Sequence, residues 1–528
     1  MPPQLAFMIW PVVVMILFRT LRFRVAMIWS IIGGYLLLPP KIYFNFPVLP
    51  SIDKFFVASA ATLLASLFTL RGMTSRTPAR RALKTADPEA ASFRPGWIPQ
   101  DNIIRALLIL TVLGAMMTAL TNGDPLSYGP RRLPGLRPYD GFSSILTALA
   151  WLLPFFMARK FLATPESHRL LLLSLGIAGL LYSLPALYEV RMSPQLNRIV
   201  YGYFPGSWVQ YIRDGGFRPL VFLVHGLRLG IFFTVAILSS IAYFRSGRND
   251  KRWLLVLAAL WIFATLAVSK TLGAFLIATL LIPVALFAGV RLQLLAAAIL
   301  AAIVLTFPVV RGTGFFPVKP LTSFAQGISP ARAQSLAFRF RNEDILLEKA
   351  RQRPAFGWGG WGRARVYNQN GRDISITDGR WVIVIGRFGW AGYLGEFGLL
   401  TIPIILMALR RRKYAITLAS SGLGLALAAN LADLIPNSGL TPVTLLMAGA
   451  LVGRLELKRV DESARETPPE PMKMERPSRY ARPRPVASAA TAPATAPVSA
   501  PVSPVPDTSP AATRKRRTYT RFPARTNS

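Results

Sequence analysis

The chain contains no cysteine. Disulfides, thiolate zinc sites and cysteine nucleophiles are therefore excluded. Histidine is almost missing too: His168 and His225 are the only two, so no histidine-rich metal site can form, and neither a metal nor a cofactor is expected. Acids are scarce, with 24 Asp and Glu against 61 Lys and Arg, for a formal charge of +37. Charged residues of both signs make up only 16% of the chain, too few for a soluble protein of this size. The excess of base raises the question of nucleic acid. However, the Lys and Arg form no single stripe. They sit in short clusters between apolar runs and in the C-terminal tail, a pattern that suits topology control and contact with anionic lipid. Nucleic acid is not an expected partner.

What the chain has in abundance is apolar sequence: 52% hydrophobic residues and a mean hydropathy of +0.40. Apolar runs cover residues 5–18, 25–38, 55–70, 103–120, 142–158, 170–190, 219–244, 253–268, 271–290, 292–310, 382–409, 414–431 and 440–452. Most approach the roughly 20 residues that a bilayer crossing requires, giving about 12 or 13 spans. The basic clusters at 71–99, Arg159-Lys160, 245–252 and 410–413 mark one side as cytoplasmic. The expected fold is therefore an all-α polytopic membrane domain over 1–453, with one large extracytoplasmic loop at 311–385. A basic tail at 454–528, rich in Pro, Ala, Ser and Thr, cannot bury a core and is expected to be disordered and cytoplasmic. Its Arg514–Arg517 run suits anionic lipid headgroups.

One stretch, 339–392, is both polar and rich in Gly, Trp and Arg. From Arg311 to Arg387 there are thirteen Lys and Arg against five acids, a net +8. A long loop translocates whatever its charge, so topology permits this excess without explaining it. One reading is an anion site, since the planar guanidinium pairs bidentately with phosphate oxygens. The other is a solvated basic loop against lipid headgroups. Residues 343–353 fit a short amphipathic helix ended by Pro354. Residues 356–363, FGWGGWGR, fit a turn with two interfacial tryptophans, whose glycines either bring backbone N–H groups to a phosphate or simply let the chain bend.

The order of elements here resembles the O-antigen ligase and polysaccharide polymerase superfamily of bacterial envelope enzymes. An arginine, Arg339 or Arg341, precedes a P-x-x-G-x-G element formed by Pro354, Gly357 and Gly359. Asp378-Gly-Arg-Trp-Val stands where the family has a His-Asn motif, and Gly389 and Gly392 follow at the family's spacing. Upstream, Ser269-Lys270 with Gly273, and the run from Arg218 to His225-Gly226, resemble two further elements. The resemblance implies transfer of a glycan from a polyprenyl pyrophosphate at the outer face of the bacterial inner membrane. The lipid-linked glycan is then the substrate. The resemblance assigns catalysis to Asp378, as the base in place of histidine, and to Arg341. It assigns pyrophosphate binding to Arg339, Lys270, Arg218, Arg311 and Arg363. An alternative for Asp378 is a helix N-cap; for His225, a buried and satisfied side chain rather than a substrate contact. The competing function is a non-catalytic transporter or flippase for an anionic amphiphile, which would place its polar groups on broken helices within the membrane.

Overall fold

The computed structural model describes residues 1–46, 49–74, 96–213, 215–247 and 250–466. Residues 75–95 of the cytoplasmic loop expected at 71–99, and most of the expected tail, lie outside these residues. The described chain is almost entirely helical, with only two short hairpins: Leu126–Tyr128 paired with Arg131–Leu133, and Ile212–Arg213 paired with Gly216–Phe217. It is an all-α, multi-span membrane protein. Among the described residues, seven helices are long and apolar enough to cross a membrane: Pro3–Thr20, Asn102–Leu120, Pro138–Phe161, Pro165–Met192, Gly226–Ser246, Val290–Gly312 and Arg380–Leu409. Four shorter apolar helices accompany them, at Phe23–Leu37, Lys54–Leu70, Leu254–Val268 and Leu272–Phe287. Leu418–Asp433 and Pro442–Glu466 complete the bundle.

Helix is the natural state of such runs, because it satisfies every backbone group without water. Polar side chains set the ends. Asp101 accepts from the Ile103 N–H, Thr164 from Ser167 and Thr417 from Ser420. Lipid offers helices no hydrophobic reason to associate, so small residues set the contacts. A Cβ at Gly179 would stand 2.4 Å from that of Ala236, and one at Gly422 would stand 2.3 Å from that of Ala242.

Three features depart from the sequence reading. First, the segment 311–385 is largely structured. Val318–Ile328 is a helix, and the amphipathic helix expected at 343–353 runs Pro330–Arg351, starting at a proline more than three turns earlier. Second, the last helix continues past 453 to Glu466. Arg454 is buried and donates to the Tyr414 carbonyl, and Glu456 forms a 2.8 Å ion pair with the fully buried Arg159. Arg159 also donates to the carbonyls of Gly96, Trp97 and Ile98, so it is a structural tie rather than a solvated loop charge. Third, the run at 382–409 is not one straight span. The helix Arg380–Leu409 breaks at Gly389, which has φ 62° and ψ −161°. Arg380 forms a bidentate pair with Glu396, at 2.7 and 2.6 Å, sixteen positions away. A straight helix would separate the two by about 24 Å, so residues 380–388 fold back against the start of 390–409.

Candidate functional site

The break at Gly389 leaves carbonyls without donors on one side and N–H groups without acceptors on the other. The P-x-x-G-x-G segment supplies both. The N–H groups of Trp358 and Gly359 donate to the carbonyls of Gly386 and Arg387, at 2.9 and 2.8 Å. In return the N–H groups of Trp390 and Ala391 donate to Pro354 and Ala355, at 2.8 and 3.1 Å. Two sequence elements that composition shows only as glycine-rich are thus one interlock. Gly357 (φ +66°) and Gly389 cross at backbone contact: a Cβ on Gly357 would lie 2.6 Å from Phe388 N and Gly389 N. The far side of the segment is fastened to the end of the Asn102–Leu120 helix. Thr118 donates to the Phe356 carbonyl and Asn122 to that of Gly357, while Arg353 donates to Thr121, Asn122 and Asp124.

This interlock positions a set of arginines. Arg380 heads the broken helix, and its N–H donates to the carbonyls of Leu434 and Asn437. The same 434–439 turn reaches Arg228, since a Cβ on Gly439 would lie 3.6 Å from Arg228 Cγ. Arg387 is exposed at the other end of the short helix, with Nη2 3.5 Å from where a Gly360 Cβ would stand. Arg380 is the electrostatic neighbour of both Arg228 and Arg387. Arg380 has Glu396 as its partner. Arg228 and Arg387 make no hydrogen bond or ion pair among the described residues, although each lies over an aromatic ring. Arg387 also lines a cavity of about 350 Å³, together with Trp361, Arg365 and Thr377.

The residues expected from sequence divide into three groups. Arg339 and Asp378 do come together, as a half-exposed ion pair at 3.5 Å. Asp378 is not the helix cap: Gly379 occupies that position, and no side chain caps it. Arg341 is exposed and separate from this pair, because residues two apart on a helix face away from each other. Arg218 and Lys270 also meet. The Arg218 guanidinium donates to the Lys270 carbonyl at 3.0 and 3.3 Å, and Lys270 Nζ donates to the Arg213 carbonyl at 2.7 Å. Arg311 and Arg363 are instead occupied internally. Arg311 is buried against Asp344, Glu343 and the Phe340 carbonyl. Arg363, fully buried, donates to the carbonyls of Trp358, Asp124 and Pro134. Neither presents a free guanidinium to an anion.

His225 caps the Gly226–Ser246 helix, its Nδ1 accepting from the Leu227 N–H at 3.1 Å. Burial, then the charges of Arg218 and Arg228, push it down to about 4, so it is neutral and able to accept at neutral pH.

Sequence reasoning passed over Arg228, Arg380, Arg387 and Glu396 as binding groups. A usable signal existed. Arg228 interrupts an apolar run, and Glu396 is the one acid in Arg380–Leu409; ionisable residues inside membrane helices mark functional sites by default.

Glu343 gives a pH prediction. Burial, opposed by Arg311, pushes its carboxyl up to about 7 from 4.5. Asp344, at 2.7 Å, supplies the countercharge that Arg311 needs while Glu343 holds its proton. The folded state then binds more protons than the unfolded state between these two values, so this contribution is complete below pH 4.5 and disappears as pH rises through 7. Stability in detergent should fall by on the order of 3 kcal/mol across that window. Glu343→Gln should flatten the slope in unfolding measurements; an unchanged slope would refute the assignment.

The chain matches no protein-family model, and no curated protein matches it either.

Proposed function

We propose that the protein is a glycosyltransferase of the bacterial cytoplasmic membrane that takes a glycan from polyprenyl pyrophosphate at the outer face, polymerising it or ligating it to an acceptor. The observation that carries this reading is the group Arg228, Arg380 and Arg387, in which Glu396 is the only hydrogen-bonded acid among the described residues. Three guanidinium groups, with Glu396 hydrogen-bonded to Arg380 and Asp53 an electrostatic neighbour of Arg228, keep an excess of positive charge, and a pyrophosphate brings further negative charge. Their fork geometry holds phosphate oxygens bidentately and, in a low-dielectric site, stabilises charge as it develops.

The reaction follows from these parts. An acceptor hydroxyl attacks the anomeric carbon of the donor sugar, and the carbon–oxygen bond to pyrophosphate breaks. The leaving pyrophosphate takes the electron pair and settles on the arginines. Asp378, half-exposed beside Arg339, takes the acceptor's proton. Arg339 holds the carboxylate in place beforehand, so it is a positioning residue. Arg341 would act only if substrate reached the exposed side of its helix.

One observation favours the transporter reading. Arg380 and Arg387 lie on a broken helix, the device by which transporters present binding groups. Reconstitution into liposomes with lipid-linked glycan separates the two. Transfer requires a lengthened or ligated product; transport gives movement across the bilayer with no new glycosidic bond. Asp378→Ala should abolish product while the protein still binds pyrophosphate. Normal product from Asp378→Ala would remove it as the base.

A further inference from the structure

The two tryptophans of the FGWGGWGR turn have opposite fates. Trp358 is buried, and its ring lies under Lys349 Nζ at 3.7 Å and the Arg353 guanidinium at 4.4 Å. Its Nε1 donates to the Lys349 carbonyl at 2.7 Å. It is fully used in holding the turn to the Pro330–Arg351 helix. Trp361 is 72% exposed and borders the cavity that Arg387 enters.

The backbone makes this exposure notable. Trp361 has φ +55°, a left-handed conformation in which glycine or asparagine would sit with less strain. Its neighbours Gly360 and Gly362 are glycines, and the turn is locked by hydrogen bonds from the Arg363 N–H to Gly360 and the Arg365 N–H to Gly362, both 3.0 Å. Arg363 anchors the same turn from below through the carbonyls of Asp124 and Pro134. A rigid, strained turn thus projects a large aromatic ring into the open. Strain of this kind persists where the surroundings enforce it, and it collects at ligand sites. Packing does not explain the residue, since an indole this exposed buries little.

We propose that Trp361 is a sugar-binding platform: its indole face stacks on the C–H face of a pyranose ring of the glycan, beside the cavity that Arg387 borders. The chemistry fits the two sides of the site. A pyranose offers one apolar face to an electron-rich ring and directs its hydroxyls outward, where Thr377 and Arg365 border the same cavity. Arg365 is held in place by Asp373 at 2.6 Å, so its fork is preset. The pyrophosphate then belongs to the arginine group, and the sugar next to it belongs to Trp361. This assignment rests on the glycan-transfer reading, and it specifies a residue that discriminates by ring face rather than by charge.

The test uses the full chain in lipid nanodiscs. The probe is glycan released from the host's lipid-linked pool by mild acid, which removes the pyrophosphate, and labelled at its reducing end. Fluorescence anisotropy should show binding to wild type. Trp361→Phe, which keeps an aromatic face, should bind within about 3-fold of wild type, and Trp361→Gly should bind at least about 10-fold more weakly. Trp361→Gly also relieves the left-handed strain, so its thermal midpoint should equal or exceed that of wild type. Weak binding with undiminished stability separates a platform from a structural residue. Unchanged binding in Trp361→Gly overturns the proposal, as does equal loss in Trp361→Phe, or no binding of the probe to wild type. In transfer assays, Trp361→Gly should raise the KM for glycan and leave inorganic pyrophosphate inhibition unchanged. If wild type binds the probe but makes no product, the transfer reading fails and the sugar platform stands. If wild type makes product and Trp361→Gly keeps its KM, the platform fails and transfer stands.

Discussion

Gly389→Ala should disrupt the loop-bearing end of the protein. The dihedrals at Gly389, φ 62° and ψ −161°, lie in a region open essentially to glycine alone. An added Cβ would stand 2.5 Å from the Pro354 oxygen and from the carbonyl carbon and oxygen of Ala355. These carbonyls cannot retreat, because they accept the N–H groups of Trp390 and Ala391. Either the clash is relieved and those N–H groups lose their partners, or the strain remains. Strain at such a site and unsatisfied backbone groups each cost roughly 1–3 kcal/mol, so a total of about 3 kcal/mol or more is expected. Gly357→Ala should behave alike, with contacts of 2.6 Å on the same interlock. Gly273→Ala is the control: it lies within Leu272–Phe287 with nothing within 4 Å of a new Cβ, and should be neutral or slightly stabilising. The readouts are the thermal midpoint in detergent and protease sensitivity at 361–379. A Gly389→Ala midpoint matching that of Gly273→Ala would refute the interlock.

The second large effect concerns which arginines work on substrate. Arg387→Ala should lower glycan transfer by about 10²-fold, the usual cost of removing one group that stabilises developing charge. Arg228→Ala should do the same. Neither should alter the thermal midpoint much, since neither side chain gives up a hydrogen bond among the described residues. Arg387→Lys should recover part of the activity, because an ammonium keeps the charge and loses the fork. Arg363→Ala should show the reverse pattern. It strands the carbonyls of Trp358, Asp124 and Pro134, so the protein loses stability first and activity only as a consequence. Activity and stability measured side by side on these four variants sort the substrate-facing cations from the structural ones. Full transfer by Arg387→Ala would remove the central support for the proposed function.

Much of this arrangement can be read in the sequence, and the limits have physical causes. Apolar runs and basic clusters report the helices directly, because both follow from what a bilayer tolerates. The glycines at 357, 359 and 389 also stand out. What they do does not: Gly357 and Gly389 are explained by backbone partners some thirty residues away, and Gly359 by the Leu136 side chain far upstream, none of which leaves a local signature. Charge counting fails in a specific way. The net +8 from 311 to 387 treats Arg311, Arg363 and Arg387 alike, yet of the three only Arg387 makes no hydrogen bond or ion pair among the described residues. A composition gives the number of cations, and only the fold shows which ones are already neutralised. Asp378 is an intermediate case: its pairing with Arg339 joins two elements that the motif spacing had already selected, while its supposed cap role falls to Gly379.

The reciprocal hydrogen bonding at the helix break also orders events while the chain is being made. Residues 354–359 leave the ribosome before Gly389; Thr118 and Asn122 are already there to meet Phe356 and Gly357, but the Trp358 and Gly359 N–H groups have no partner until 386–391 follows them. The short helix 380–388 likewise has an open end until that earlier segment reaches it. A nascent chain halted before Gly389 would carry Arg228, Arg380 and Arg387 but lack the Trp390 and Ala391 N–H groups and Glu396, so neither the interlock nor the Arg380 ion pair could close.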